Sequence, residues 1–225
     1  MTQHKSQHPT NRGKPSHGFA GLVSFLRAPV CHDLNQLDAD IAVMGAPTDE
    51  GSPFMPGSRL GSRSIREHSL RFGDNGYFDH DTDKIFLKYE LNNDRIVDVG
   101  DADVVPADVE GTFKNITNLT RMVLDAGAMP VVLGGDHAIT FPVVRAYNKP
   151  LHVVHFDAHI DYSPFVHGYQ YTNSHAFRHI HHMDHVESLT QVGIRSIRNN
   201  KAWIDDSIND GNRVIGMKEF GEKGP

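Results

Sequence analysis

Two short segments concentrate the side chains able to bind metal ions. Gly134-Gly135-Asp136-His137 follows the apolar run Val131-Val132-Leu133, and Asp157-Ala158-His159-Ile160-Asp161 follows Leu151-His152-Val153-Val154-His155-Phe156. Two glycines allow the backbone to turn sharply and lift His137 above a strand end. Asp157, His159 and Asp161 alternate, so they converge where an extended chain bends into its loop. Either segment alone also reads as solvated loop acids and satisfied histidines. Together, at the mouth of one sheet, they direct His137, Asp157, His159 and Asp161 toward one point. Mixed carboxylate and imidazole donors suit a divalent ion such as Mn²⁺, with nickel also compatible. Structural zinc favours thiolates, and the single cysteine, Cys31, is distant in sequence.

Positioning these groups requires strands that end where the ligands begin. Glycine-punctuated apolar runs predict strands at Ile41 to Gly45, Ile96 to Val99, Pro130 to Gly134, Leu151 to Phe156 and Leu189 to Ile194. Their apolar character on both faces suits the interior of a parallel sheet. Val109 to Ala126 reads as a helix, with Ile116, Leu119, Met122 and Val123 at helical spacing and Gly127 as its stop. Further helices are expected near Thr140 and within Ser174 to His185, and one more strand at Arg213 to Met217. Alternating strands and helices indicate an α/β domain with a mostly parallel sheet. Ligands of such sheets bind beyond the carboxyl ends of the strands, here the loops after Gly134, Phe156 and Ile194.

The 225 residues suffice for one domain with a sizeable core. A formal charge of −6 argues against a nucleic-acid surface. No run approaches the roughly 18 apolar residues of a membrane span. One cysteine excludes an internal disulfide framework, fits a reducing compartment, and reads as a packing residue. Residues 1–17 are polar and are expected to form a flexible arm, followed by one domain over 18–225. The expected location is the cytoplasm. The early basic residues Lys5, Arg12, Lys14 and Arg27 leave a mitochondrial transit segment as a minor alternative.

Gly-Gly-Asp-His followed by Asp-Ala-His-x-Asp resembles the first two signatures of the ureohydrolase family, which includes arginase, agmatinase and guanidinobutyrase. The resemblance extends to Gly18 to Pro29, Gly45-Ala46-Pro47, Pro56 to Gly61, Ser64-Ile65-Arg66 and Asp98-Val99-Gly100-Asp101. It implies a three-layer αβα arginase-like fold, two Mn²⁺ ions and a homo-oligomer, trimer or hexamer. By resemblance, His137 and Asp161 bind one ion, His159 binds the other, and Asp157 bridges both.

Such a metal pair lowers the pKa of a shared water toward neutrality, and the resulting hydroxide attacks a guanidinium carbon to release urea. The leaving nitrogen needs a proton, for which histidine is suited. The resemblance assigns that shuttle to His175 in Asn173-Ser174-His175-Ala176-Phe177-Arg178, with His167 in Val166-His167-Gly168 as competitor. His175, His179 and His182 also sit at helical spacing, either as a second metal face or as an ordinary helix surface. Tyr162-Ser163-Pro164 stands where arginases carry an Asn that reads the amino-acid end. This favours agmatine, guanidinobutyrate or free guanidine as substrate.

One departure is marked. The family's third signature, Ser-x-Asp-x-Asp-x-x-Asp-Pro, which completes both metal shells, does not occur before Pro225. The expectation is therefore a chain incomplete at its C-terminus. The alternative is a silent family member serving as a metal-binding or assembly subunit.

Overall fold

A computed structural model describes residues 18–72 and 76–224; the expected N-terminal arm, 1–17, lies outside them. The first half of the chain forms β1 (Ile41–Ala46), α1 (Gly61–Ser69), β2 (Tyr77–Asp79), β3 (Lys84–Phe86), α2 (Lys88–Asn92), β4 (Ile96–Asp101) and α3 (Val109–Asp125). The second half forms β5 (Met129–Gly134), α4 (Thr140–Val144), β6 (Leu151–Phe156), α5 (Ala176–His181), β7 (Val186–Ile194), α6 (Lys201–Asn209), β8 (Arg213–Gly216) and α7 (Met217–Lys223).

β1 is the centre of the first sheet. It pairs in parallel with β4 on one side and β5 on the other, and Ala42, Val43, Met44 and Ala46 are completely buried. α3 begins at Asp108, whose side chain accepts a hydrogen bond from the Gly111 amide at 2.8 Å, satisfying a free helix-end donor. Phe113, Ile116, Thr120 and Val123 follow at three- and four-residue intervals and are buried. Phe113 and Ile116 pack with Met44, Ala46, Ala138 and Ile139 into one core. Gly127, at φ +84, closes the helix.

The second half carries its own parallel sheet in the order β6-β7-β8, over a core of Ile160, Tyr162, Phe177, Ile180 and Leu189. β2 and β3 form a separate antiparallel pair. Every strand expected from the sequence is present, as are all three helices. Two details differ from expectation. The parallel strands form two three-stranded ladders instead of one continuous sheet, because among the described residues β5 pairs only with β1 and β6 only with β7. β6 is also covered on one face only. His155 is buried, whereas Val154 and Phe156 are 55% and 75% exposed, because none of the described residues forms a layer over their side.

A buried ion network ties α1 to β4. Arg66 donates to both oxygens of Asp98, at 2.8 and 3.0 Å, and to Asp101 at 2.5 Å. Asp98 also accepts the amides of Phe25 and Gly100, so one carboxylate anchors the N-terminal segment, a helix and a turn. Cys31 is half-buried and packs beside the cluster of Leu37, Ala42 and Val97, as a packing residue should.

Candidate metal centre

At the end of β5 the chain turns through Gly135, at φ +69. A Cβ there would lie 2.3 Å from the Ala46 carbonyl oxygen, so only glycine fits. Asp136 then caps the short turn His137–Ile139. Its carboxylate accepts the Ala138 amide and the Gly51 amide, both at 2.8 Å. Asp136 is thus committed to holding backbone, and burial raises its pKa. His137 emerges beside it, facing the loop after β6.

That loop supplies the carboxylates. Nδ1 of His137 stands 2.8 Å from Oδ2 of Asp161 and 3.1 Å from Oδ2 of Asp157. Asp157 turns its other oxygen to His159, at 3.4 Å from Nδ1, and that oxygen also accepts the His159 amide at 2.9 Å. Asp161 adopts φ +45, a left-handed turn that swings its carboxylate back toward His137. Burial disfavours a charged His137, but the Asp161 hydrogen bond and the charges of Asp161 and Asp157 outweigh it and raise its pKa. Burial likewise opposes charge on Asp157, while the His159 amide and the neighbouring imidazoles lower its pKa.

Sequence reasoning passed over one member of this group. His155, His137, Asp157 and Asp161 each offer a ligand atom, and these atoms all lie within 4.8 Å of one another. His159 stands just outside this group, half-exposed at the rim. His155 is almost fully buried, 3.4 Å from Asp157, and burial first, then the nearby His137, lowers its pKa to about 4. Its Nε2 has no hydrogen-bond partner. The signal was available: His155 and Asp157 are two apart in an extended segment and therefore share a face.

Converging carboxylates and imidazoles, with His137 Nδ1 drawn between two carboxylate oxygens, fit a divalent cation. The other candidate histidines lie outside this group of ligand atoms. His175 is buried, with Nδ1 2.7 Å from the Thr172 hydroxyl and Nε2 3.3 Å from the Pro164 carbonyl. His167 is exposed at the tip of a tight turn with Gly168, both at positive φ. His179 contacts the Gln170 carbonyl and stacks on Phe141, and His185 bonds the Val144 carbonyl. Among the described residues these histidines form no second metal-binding group.

The centre opens into a cleft of about 420 Å³. Phe54, Met55 and Trp203 contribute apolar walls, and Arg198 and Asn199, from the loop after β7, contribute polar groups. All three loops named from the sequence thus meet at one site.

A sequence profile of the Arginase family matches residues 39–225, which includes every residue of the centre. The chain belongs to the arginase family. It is 32% identical to proclavaminate amidinohydrolase of Streptomyces clavuligerus over 92% of this chain and 64% of that protein. Guanidinopropionase of Pseudomonas aeruginosa is 35% identical, again over 92% and 64%. The chain therefore spans just under two thirds of the length of these arginase-family relatives.

Solved structures agree. The Streptomyces clavuligerus proclavaminate amidinohydrolase superposes with a TM-score of 0.79 at 30% identity, covering 93% of this chain and 68% of that one. A Trypanosoma cruzi formiminoglutamase solved with Mn²⁺ superposes at 0.70 over 83% of this chain and 63% of that one; at 20% identity it shows the shared arginase fold alone. No described helix is long and apolar enough to cross a membrane.

Proposed function

We propose that this site hydrolyses a guanidino compound to urea and an amine, with two divalent metal ions held by His137, Asp157, His159 and Asp161. The observation that carries this reading is the split carboxylate of Asp157, which offers Oδ2 toward His137 and Oδ1 toward His159. A carboxylate so placed suits a bridge, with His137 and Asp161 on one side and His159 on the other. When bound, Mn²⁺ or Ni²⁺ supplies Lewis acidity and a water acidic enough to act as nucleophile at neutral pH.

The chain's own residues cover the remaining needs. His175 is the proposed proton donor to the departing nitrogen, with exposed His167 as the alternative. With Nε2–H turned to the Pro164 carbonyl, His175 accepts the Thr172 hydroxyl proton at Nδ1, which keeps a neutral ring with its mobile proton on Nε2. Phe54, Met55 and Trp203 suit the alkyl spacer of a substrate. Among the described residues, Arg198 is the one charged side chain lining the cleft beyond the metal-binding residues. It favours a substrate whose far end is a carboxylate, as in 4-guanidinobutyrate, over the ammonium of agmatine.

The test is urea release by the Mn²⁺-loaded chain on 4-guanidinobutyrate, agmatine, arginine and guanidine, beside an Asp157→Asn control. Release on the guanidino acid that vanishes in the control supports the proposal. Mn²⁺ binding without urea from any substrate would sink the reading of this chain as a working hydrolase and leave an incomplete or a silent metal-binding family member standing.

A further inference from the structure

We infer that His155, although within ligand distance of the centre, is a positioning residue for Asp157 and not a metal ligand. The inference rests on the reading of Asp157 as a ligand, and its ground is the hydrogen-bond chain behind the ring.

Gln191 is fully buried on β7, directly opposite His155 in the parallel register. One terminal atom of its amide lies 2.6 Å from the Ile160 carbonyl oxygen. That oxygen can only accept, so the facing atom is the NH₂ group. The other terminal atom, the oxygen, accepts from the Ser207 hydroxyl at 2.7 Å, and Ser207 in turn receives the Asn212 amide at 3.2 Å. A flipped amide would set two oxygens against each other at Ile160, so the Ile160 carbonyl fixes the orientation.

The same NH₂ group lies 3.1 Å from Nδ1 of His155. Nδ1 must therefore present a lone pair, and the neutral ring carries its proton on Nε2. A protonated nitrogen cannot coordinate a cation. It can donate to a carboxylate, and Nε2 stands 3.4 Å from Oδ2 of Asp157, slightly longer than a formed hydrogen bond. Phe177 stacks on the ring at 3.7 Å between centroids, which fixes its plane. The unpartnered, buried Nε2–H is thus a donor aimed at the metal-binding carboxylate, and a shift of a few tenths of an ångström closes the bond. A relay from Asn212 through Ser207, Gln191 and His155 orients Asp157. Contacts of this kind are worth roughly 10–100-fold in metal affinity.

Two measurements test the assignment. In the metal-free chain labelled with ¹⁵N-histidine, long-range ¹H–¹⁵N spectra are expected to show His155 protonated at Nε2 and bare at Nδ1. Mn²⁺ titration is then expected to show His155→Phe weakened roughly 10–100-fold, with His155→Gln, whose amide restores a donor near Nε2, recovering most of the loss. A bare Nε2 in the wild-type spectrum would overturn the inference whatever the metal does. So would a His155→Gln variant that folds yet loses Mn²⁺ as completely as His137→Ala. A wild-type chain with Nε2 protonated that binds no Mn²⁺ would instead uphold the tautomer and sink the metal-site reading, so the two failures are distinguishable.

Discussion

Nδ1 of His137 and Oδ2 of Asp161 lie 2.8 Å apart, although one residue follows β5 and the other follows β6, strands of different sheets. The pair joins the two halves of the protein at the candidate centre. Asp161→Asn removes the charge with little change of shape. Mn²⁺ affinity, read by calorimetry, is expected to fall by more than the roughly 100-fold associated with a supporting contact. Unchanged affinity would remove Asp161 from the ligand set.

Arg198 gives a prediction about selectivity. In Arg198→Ala, KM for 4-guanidinobutyrate is expected to rise about tenfold or more, consistent with loss of one charge-assisted contact, while KM for agmatine stays level or falls. Equal effects on both substrates would show that Arg198 does not read the carboxylate.

Burial lowers the pKa of both His175 and His179. An unfolded histidine titrates near 6.5, so the unfolded chain takes up protons that these folded rings resist. Their contribution is complete above about pH 6.5 and is lost as pH falls through the folded values. His137, whose pKa is raised, acts in the opposite sense: its contribution is present below the unfolded value and fades as pH rises. The comparison is therefore made between His179→Gln and wild type, both metal-free, by urea denaturation at pH 8 and pH 5. The variant is expected to lose less stability on acidification, and an identical loss would refute the role of His179.

The Arg66 network supports a stability prediction. Arg66 and Asp98 are both buried, and removing one partner leaves the other's charge uncompensated. Arg66→Met is expected to cost about 3–5 kcal/mol in chemical denaturation. A loss under about 1 kcal/mol would mean that the Phe25 and Gly100 amides suffice for Asp98.

Gly135→Ala should damage the centre without touching a ligand. Its Cβ would meet the Ala46 carbonyl, and a positive φ is unfavourable for alanine. The expected result is a lower Tm together with weakened Mn²⁺ binding. Lower Tm with unchanged Mn²⁺ affinity would show that the turn does not set the position of His137.

Local sequence determined much of this protein. Runs such as Val131-Val132-Leu133 and Val153-Val154 are too apolar and β-branched to be surface loops, and the glycines and acids after them mark where strands end. Hence the strands, the helix from Val109, and the four residues His137, Asp157, His159 and Asp161 could be named from spacing and from the ureohydrolase resemblance. Other features depend on groups distant in the chain, which no local pattern encodes. The division into two ladders depends on which strand edges find partners. Asp157 shares its oxygens between two histidines, and the His155 tautomer is set by Gln191, a polar residue that reads in sequence as an oddity within an apolar strand. Exposure of Val154 and Phe156 was equally illegible, since an apolar residue in a strand does not reveal whether anything packs upon it. The metal-binding candidates His137, Asp157, His159 and Asp161 were legible in the sequence; the tertiary structure brought His155 and the cleft walls to them and set their orientation, because hydrogen-bond geometry arises only when separate strands are brought within a few ångströms.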